Sequence, residues 1–203
     1  MTSSTATEPE TKRPRSFLSE LPILLAVAVV VALILRFFVV QTFWIPSGSM
    51  EPTLDLNDRV LVNKLVYDIG TPHRLQVVVF NSPASWRSNA DETVFIKRVI
   101  GAAGDHVVCC DSQGRVTVNG TPLTEPYVAS TVSATAPAAP APFDIVVPPG
   151  RLWVMGDNRY NSDDSLQAWL HSQHDMNAST IRVSAVIGQA FVLFWPIGRG
   201  RWL

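Results

Sequence analysis

The feature that most limits how this chain can fold lies between Phe17 and Val40. No charge occurs from Leu21 to Leu35, and Phe37 to Val40 extend the apolar run beyond a single Arg36. A helix of about 20 mostly apolar residues is long enough to cross a bilayer. Arg36 sits near one end, where its stem can stay in the apolar layer while the guanidinium reaches the interface. Phe43 and Trp44 follow at the depth of an aromatic belt. The run exceeds the roughly 7–15 residues of a cleavable signal, and bulky Thr42-Phe43-Trp44-Ile45 follows in place of a small-residue cleavage site. The expectation is an uncleaved anchor over residues 17–40. Lys12, Arg13 and Arg15 precede it, and after Arg36 no basic residue occurs before Arg59. The distribution of Lys and Arg places the N-terminus in the cytoplasm and the chain beyond about residue 41 outside. Ala190 to Ile197 is too short for a second span.

The remaining chain reads as β. Residues 1–16 are polar, lack apolar periodicity and are expected to be a disordered tail. Strand-like runs then dominate. Arg59–Val66 and Thr93–Ile100 are rich in β-branched residues, and Val77–Phe80 is a short buried run ended by Asn81-Ser82-Pro83. His106–Val108 and Arg115–Val118 before Asn119-Gly120 read as a small hairpin region. Asp144–Val147, Arg151–Met155 and Val183–Phe194 restore strand patterns, and Gln167–His174 reads as a short helix. Ser130 to Pro142 is Ala/Pro-rich and offers no core, so it reads as an exposed loop. The expected fold class is mainly β: an antiparallel-sheet catalytic domain over 41–203 follows a single N-terminal transmembrane helix. A less regular insert is expected at about 106–150.

Composition adds two exclusions. A formal net charge of -1 gives no general attraction to nucleic acid. Cys109 and Cys110 are adjacent, and neighbouring residues close a disulfide only in a ring far from ordinary geometry, so two thiols in a β-rich region are expected.

Three stretches carry chemistry. Pro46-Ser47-Gly48-Ser49-Met50-Glu51-Pro52 follows the apolar run. Its prolines fix φ and its glycine permits a sharp bend, which can hold a hydroxyl in one place. Taken alone, the stretch reads first as a loop leaving a helix. A serine hydroxyl needs an adjacent base to act as a nucleophile. None of His73, His106, His171 and His174 sits in a triad motif. His171 and His174 are three apart but lack the further ligands a metal site needs, so no metal or cofactor is expected. Lys97 lies in the apolar run Val94–Ile100, where burial would strip its proton; a solvent-facing lysine on an edge strand is the other reading of that segment. The third stretch, Met155-Gly156-Asp157-Asn158-Arg159-Tyr160-Asn161-Ser162-Asp163-Asp164-Ser165, is dense in hydrogen-bonding groups. It reads either as a polar loop or as a shell that orients Lys97 and compensates Arg98.

Together with Asp58–Lys64, Ile96–Gly101 and Gly104-Asp105, these stretches resemble, in order and spacing, the bacterial type I signal peptidases. The resemblance covers nearly the whole chain past residue 17. It implies a Ser/Lys dyad in which Ser49 attacks and Lys97 is the general base. The Ser49 backbone N–H and the Ser47 hydroxyl would hold the oxyanion. Ser162 would orient Lys97, Asp157 would pair with Arg98, and Asp164 would support the same shell. Ile45, Met50, Leu54, Phe95 and Ile96 would line small apolar pockets for alanine-like side chains. The partners implied are signal-peptide-bearing preproteins, bound as an added strand, and the lipid bilayer; nucleic acid is not among them, and the protein is expected to be a monomer. The chain departs from the family pattern twice. Leu166 follows Asp164-Ser165 where Arg is usual, and Leu75-Gln76 precedes the Val77 strand where Gly-Asp is common.

Two other classes are weighed against this. Another Ser/Lys enzyme is possible in chemistry, but Pro52 occupies the position three after Ser49 where a penicillin-type motif needs lysine, and a repressor-like protease would need a DNA-binding domain. A catalytically dead, tethered peptide-binding module would not need Ser47, Ser49 and Lys97 together.

Overall fold

The computed structural model describes residues 17–34, 39–128 and 136–203. The tail over 1–16, Arg36 and the first half of the Ala/Pro-rich stretch lie outside them. The chain divides into two units, Met1–Phe37 and Phe38–Leu203.

The first unit contains one helix, α1 (Phe17–Ile34), of 18 residues. At 1.5 Å per residue it is about 27 Å long. Leu21, Ile23, Leu24, Leu25 and Val27 are all exposed, so the helix is apolar around its circumference. Among the described residues, no helix is long and apolar enough to cross a membrane. The anchor expected over 17–40 is therefore corrected at its end. Helix is described only to Ile34, and Val40 already belongs to a strand, β1 (Val40–Trp44). The reason is pairing: Val40 to Trp44 find backbone partners in Asn63 to Arg59.

The second unit is mainly β. Its larger sheet takes β1, β2 (Arg59–Asn63), β3 (Val77–Asn81), β4 (Val94–Ala102), β9 (Arg151–Met155), β10 (Ile181–Arg182), β11 (Val186–Trp195) and β12 (Arg201–Trp202). The order is β1-β2-β11-β3-β4-β9-β10, with β12 also pairing β11, and every pairing is antiparallel. In β3, Val77, Val78, Val79 and Phe80 are all buried, which explains why its sequence is a continuous apolar run. Short helices α2 (Val66–Ile69), α3 (Ser165–His171) and α4 (Met176–Ser179) lie in the connections.

The insert expected to be irregular is a second sheet. Strands β5 (His106–Cys109), β6 (Val116–Val118), β7 (Thr121–Pro122) and β8 (Phe143–Val146) order as β7-β6-β5-β8. Asn119-Gly120 turns β6 into β7 with φ of 53° and 77°, the left-handed pair that such a two-residue turn demands. Val107, Val116, Val118 and Ile145 bury one face of this sheet against Trp153 and Met155 of β9. Ala139, inside the stretch expected to be an exposed loop, is buried in the same cluster.

The expectation for the cysteines is corrected too. Cys109 and Cys110 are joined by a disulfide across a cis peptide, with their Cα atoms 3.0 Å apart.

One property of the larger sheet positions the site. β4 pairs β3 along Val94–Arg98, but it pairs β9 only from Arg98 onward. On the β9 side, no described strand pairs Val94 to Lys97. An open strand edge is therefore left where the chain turns from β9 into the Gly156–Ser165 loop.

Candidate active site

Ser49 sits in a single 3-10 turn, Gly48–Met50. The segment around it is pinned from within. Ile45 N–H donates to the Asp58 carbonyl, Asn57 N–H donates to the Ile45 carbonyl, and Met50 and Leu54 are wholly buried. A second anchor comes from the Gly156 loop. The Asn158 backbone N–H donates to the Ser49 carbonyl at 3.1 Å, and its Nδ2 donates to the Gly48 carbonyl at 3.1 Å. The hydroxyl is thus held by core packing on one side and by an amide clamp on the other.

Lys97 arrives from β4. Its Nζ lies 2.6 Å from Ser49 Oγ, and the residue is only 4% exposed. Burial pushes the amine down to about 8, although the carboxylates of Asp164, Asp163, Asp157 and Glu92 pull it the other way. Ser47 Oγ lies 3.3 Å from Ser49 Oγ. These groups open onto a cavity of about 170 Å³, walled on one side by Pro46, Ser47 and Gly48 and on the other by Val94, Phe95 and Ile96. An extended peptide in this cavity would run along the unpaired edge of β4, where free backbone groups await a partner.

Arg98, the next residue, points to the opposite face of the strand. It grips Asp157 with Nε to Oδ1 at 2.8 Å and Nη2 to Oδ2 at 2.6 Å. Asp157 is fully buried and also accepts from Thr53 Oγ1 at 2.5 Å. Arg98 Nη1 donates to the carbonyl of Leu75 at 2.7 Å. Leu75 has φ 71°, a left-handed conformation that costs a branched side chain and suits glycine.

Asp164 caps α3. Its carboxylate accepts from Leu166 N–H at 3.0 Å, Gln167 N–H at 3.4 Å and Gly156 N–H at 3.0 Å. Burial raises its pKa against the pull of these amides and of Lys97. Three backbone donors take the place of a cationic partner, so position 166 is free to be Leu, and Leu166 is buried in the core with Trp153 and Met155.

A family model described as signal peptidase, peptidase S26, matches residues 18–195. The chain belongs to this family. It is 37% identical over 237 residues to a signal peptidase I of Mycobacterium tuberculosis, covering 97% of this chain and 79% of that one. It is 39% identical over 186 residues to a probable signal peptidase I-2 of Synechocystis, covering 92% and 77%. Among solved structures, a signal peptidase I from Enterococcus faecalis aligns with a TM-score of 0.45 at 27% identity, covering 60% of this chain and 97% of that one. Membership makes the protein a hydrolase of a serine peptidase family.

Against this signal peptidase assignment, the expected site residues divide into groups. Ser47, Ser49, Lys97, Arg98, Asp157 and Asp164 come together as described. Ser162 lines the cavity and lies near enough to Asp164 to favour its charged form, but its buried hydroxyl makes no hydrogen bond of normal geometry, to Lys97 or otherwise. Phe95 and Ile96 line the cavity; Ile45, Met50 and Leu54 are core residues beneath it and do not. Pro46 and Val94 take their place in the lining. His171 ends α3, while His174 stacks on Trp169 at 3.8 Å beyond it, so the two histidines share no helix face. Asn158 and Arg159 belong to the polar stretch singled out in the sequence, but no role for either could be read there; Thr53, which reaches Asp157, Glu125, which reaches Arg159, and Tyr127, which covers Arg98, lie outside that stretch, and nothing local to them marks the contact.

Proposed function

We propose that the protein is a membrane-bound serine endopeptidase that cleaves N-terminal signal peptides from exported preproteins with a Ser49/Lys97 dyad. The observation that carries this reading is the 2.6 Å contact between Ser49 Oγ and a buried amine whose pKa burial lowers to about 8. In the reaction, neutral Lys97 takes the Ser49 proton as Oγ bonds to the scissile carbonyl carbon. The negative charge on the carbonyl oxygen is met by the Ser49 N–H and the Ser47 hydroxyl; loss of one such donor typically costs about 10²–10³ in rate. The Lys97 ammonium then protonates the departing amine, leaving an acyl ester on Ser49. Water, deprotonated by Lys97, releases the signal peptide. Alanine-like side chains fit a cavity this small, and the substrate adds as a strand to the open edge of β4.

Membrane attachment suits the task, because a substrate whose own apolar segment lies in the same bilayer is concentrated at the enzyme. The apolar run from Phe17 is the anchor in this reading. The protein works as a monomer, its N-terminus is cytoplasmic, and the catalytic domain faces the outer side of the cytoplasmic membrane. Exposed Trp44 and Trp195 belong at such an interface.

The purified full chain, in detergent or in lipid vesicles, should cut a preprotein bearing an Ala-x-Ala site once, directly after the second Ala. Absence of cleavage in both settings would favour a tethered peptide-binding module. Protease added to intact cells should remove the catalytic domain; its protection would reverse the orientation.

A further inference from the structure

Two buried arginines flank the turn that clamps the nucleophile, and both are met by one short segment of the small-sheet insert. Arg159, with its side chain 1% exposed, pairs with Glu125, whose side chain is 6% exposed, through Nη1 to Oε2 at 3.3 Å and through a second contact from Nη2 to Oε1. Its Nε donates to the Gly156 carbonyl at 3.0 Å and its Nη1 to the Ala138 carbonyl at 2.8 Å. Two residues after Glu125, the ring of Tyr127 lies 3.8 Å from the Arg98 guanidinium carbon, on the side away from Lys97. The Tyr127 hydroxyl donates to Glu125 Oε1 at 2.9 Å, closing the segment on itself.

Charge makes the arrangement necessary. Asp157 is committed to Arg98 through both oxygens and Asp164 to backbone amides, so neither carboxylate is left for Arg159. A buried guanidinium without a partner is strongly destabilising. Glu125 is the carboxylate that allows Arg159 to remain buried. Burial alone would lower the Arg159 pKa, but Glu125, with smaller contributions from Tyr127 and Asp157, more than offsets it and the guanidinium stays charged.

We infer that Glu125-Pro126-Tyr127 is a positioning strap for catalysis: through Arg159 and Arg98 it fixes the Gly156–Arg159 turn, whose Asn158 holds the Gly48 and Ser49 carbonyls. The inference rests on the reading of Ser49 and Lys97 as the catalytic pair. It gives the insert a task in the reaction, and it gives the Ala/Pro-rich stretch one as well. Ala138 accepts from Arg159, and Pro137 accepts from the Tyr160 hydroxyl at 3.0 Å, so the far end of that stretch closes over the same turn.

The test uses the full chain, a short Ala-x-Ala peptide as substrate, and Glu125→Gln, Tyr127→Leu and Tyr127→Phe variants, each assayed well below its own melting temperature. Displacements of about 1 Å cost on the order of 100-fold in rate. Glu125→Gln and Tyr127→Leu should lower kcat by roughly 10- to 100-fold with KM changed by less than about 3-fold. The acid midpoint of kcat/KM should also move down, because an uncompensated Arg159 draws on Asp157, a carboxylate that also faces Lys97. Tyr127→Phe, which keeps the ring against Arg98, should recover most of the loss seen with Leu. Turnover within about 3-fold of wild type in folded Glu125→Gln and Tyr127→Leu, or a loss that follows only the unfolded fraction with the midpoint unmoved, overturns the strap. Cleavage that survives Ser49→Ala or Lys97→Met would instead sink the catalytic pair, so the two failures are distinguishable.

Discussion

Lys97 Nζ and Ser49 Oγ meet at 2.6 Å across 48 residues of sequence, and both residues are buried. The contact matters because the amine is held at about 8 by burial. An ammonium cannot accept the serine proton, whereas a neutral amine can. We therefore expect kcat/KM on an Ala-x-Ala peptide to rise with pH through a midpoint near 8, the value for Lys97 in the free enzyme. A flat profile from pH 5 to 9, or a midpoint at an ordinary lysine value, would separate Lys97 from the proton transfer.

The same burial has a cost in stability. Unfolded Lys97 binds its proton more tightly than folded Lys97 does, so the penalty is complete below pH 8 and fades as pH rises toward 10.5. Lys97→Met should be more stable than wild type at pH 6 by up to about 3 kcal/mol, from a depression of 10.5 to about 8 at 1.36 kcal/mol per unit. The difference should close above about pH 10. Denaturant unfolding at both pH values measures it, and a variant no more stable at pH 6 would mean that the ammonium is well solvated.

Gly156 is a point of close approach. A Cβ there would lie 2.4 Å from Ser162 Oγ and 2.4 Å from the Ser49 carbonyl oxygen. Gly156→Ala should force the nucleophile turn away from Lys97 and lower kcat by about 100-fold or more. Comparison of kcat with a circular-dichroism melt checks this, since a fully folded variant with near-normal turnover would show that the turn can give way.

Leu166 occupies the position where an arginine is usual in the family. It is 1% exposed in the core, and Asp164 is already satisfied by three amides. Restoring the family residue with Leu166→Arg should destabilise the domain by about 3 kcal/mol or more, by burying a charge without a partner. For a chain of this size that is a fall in Tm of roughly 6–12 °C. A rise in Tm would show that Asp164 prefers an ion pair to its cap.

Much of this molecule is legible in its sequence, for identifiable reasons. β3 announces itself as an unbroken apolar run because it is covered on both faces, and Asn119-Gly120 because only such a pair takes two left-handed residues in a row. Ser49 and Lys97 are ambiguous taken singly, one in a turn leaving a helix and the other in a strand that could face solvent; the order and spacing of the stretches is what singles them out. The substrate pockets are less so, since Ile45, Met50 and Leu54 have a composition that suits a core and a cavity wall equally. The open edge at Val94–Lys97 is invisible in sequence because it depends on where β9 stops pairing. Glu125 and Thr53 reach their partners across 34 and 104 residues, and nothing local to either marks the contact. The end of the apolar run is ambiguous for a related reason: Val40 suits a membrane helix and a strand alike, and its pairing with Asn63 of β2 decides for the strand.

Cleavage of an Ala-x-Ala preprotein by Ser49→Ala and Lys97→Met, beside wild type at pH 8–9, tests the central claim most directly. Both variants should bind the preprotein and leave it intact, with rates lower by at least about 10³-fold, as expected when a nucleophile or its base is removed. Cleavage at a normal rate by either variant would contradict the assignment of the dyad.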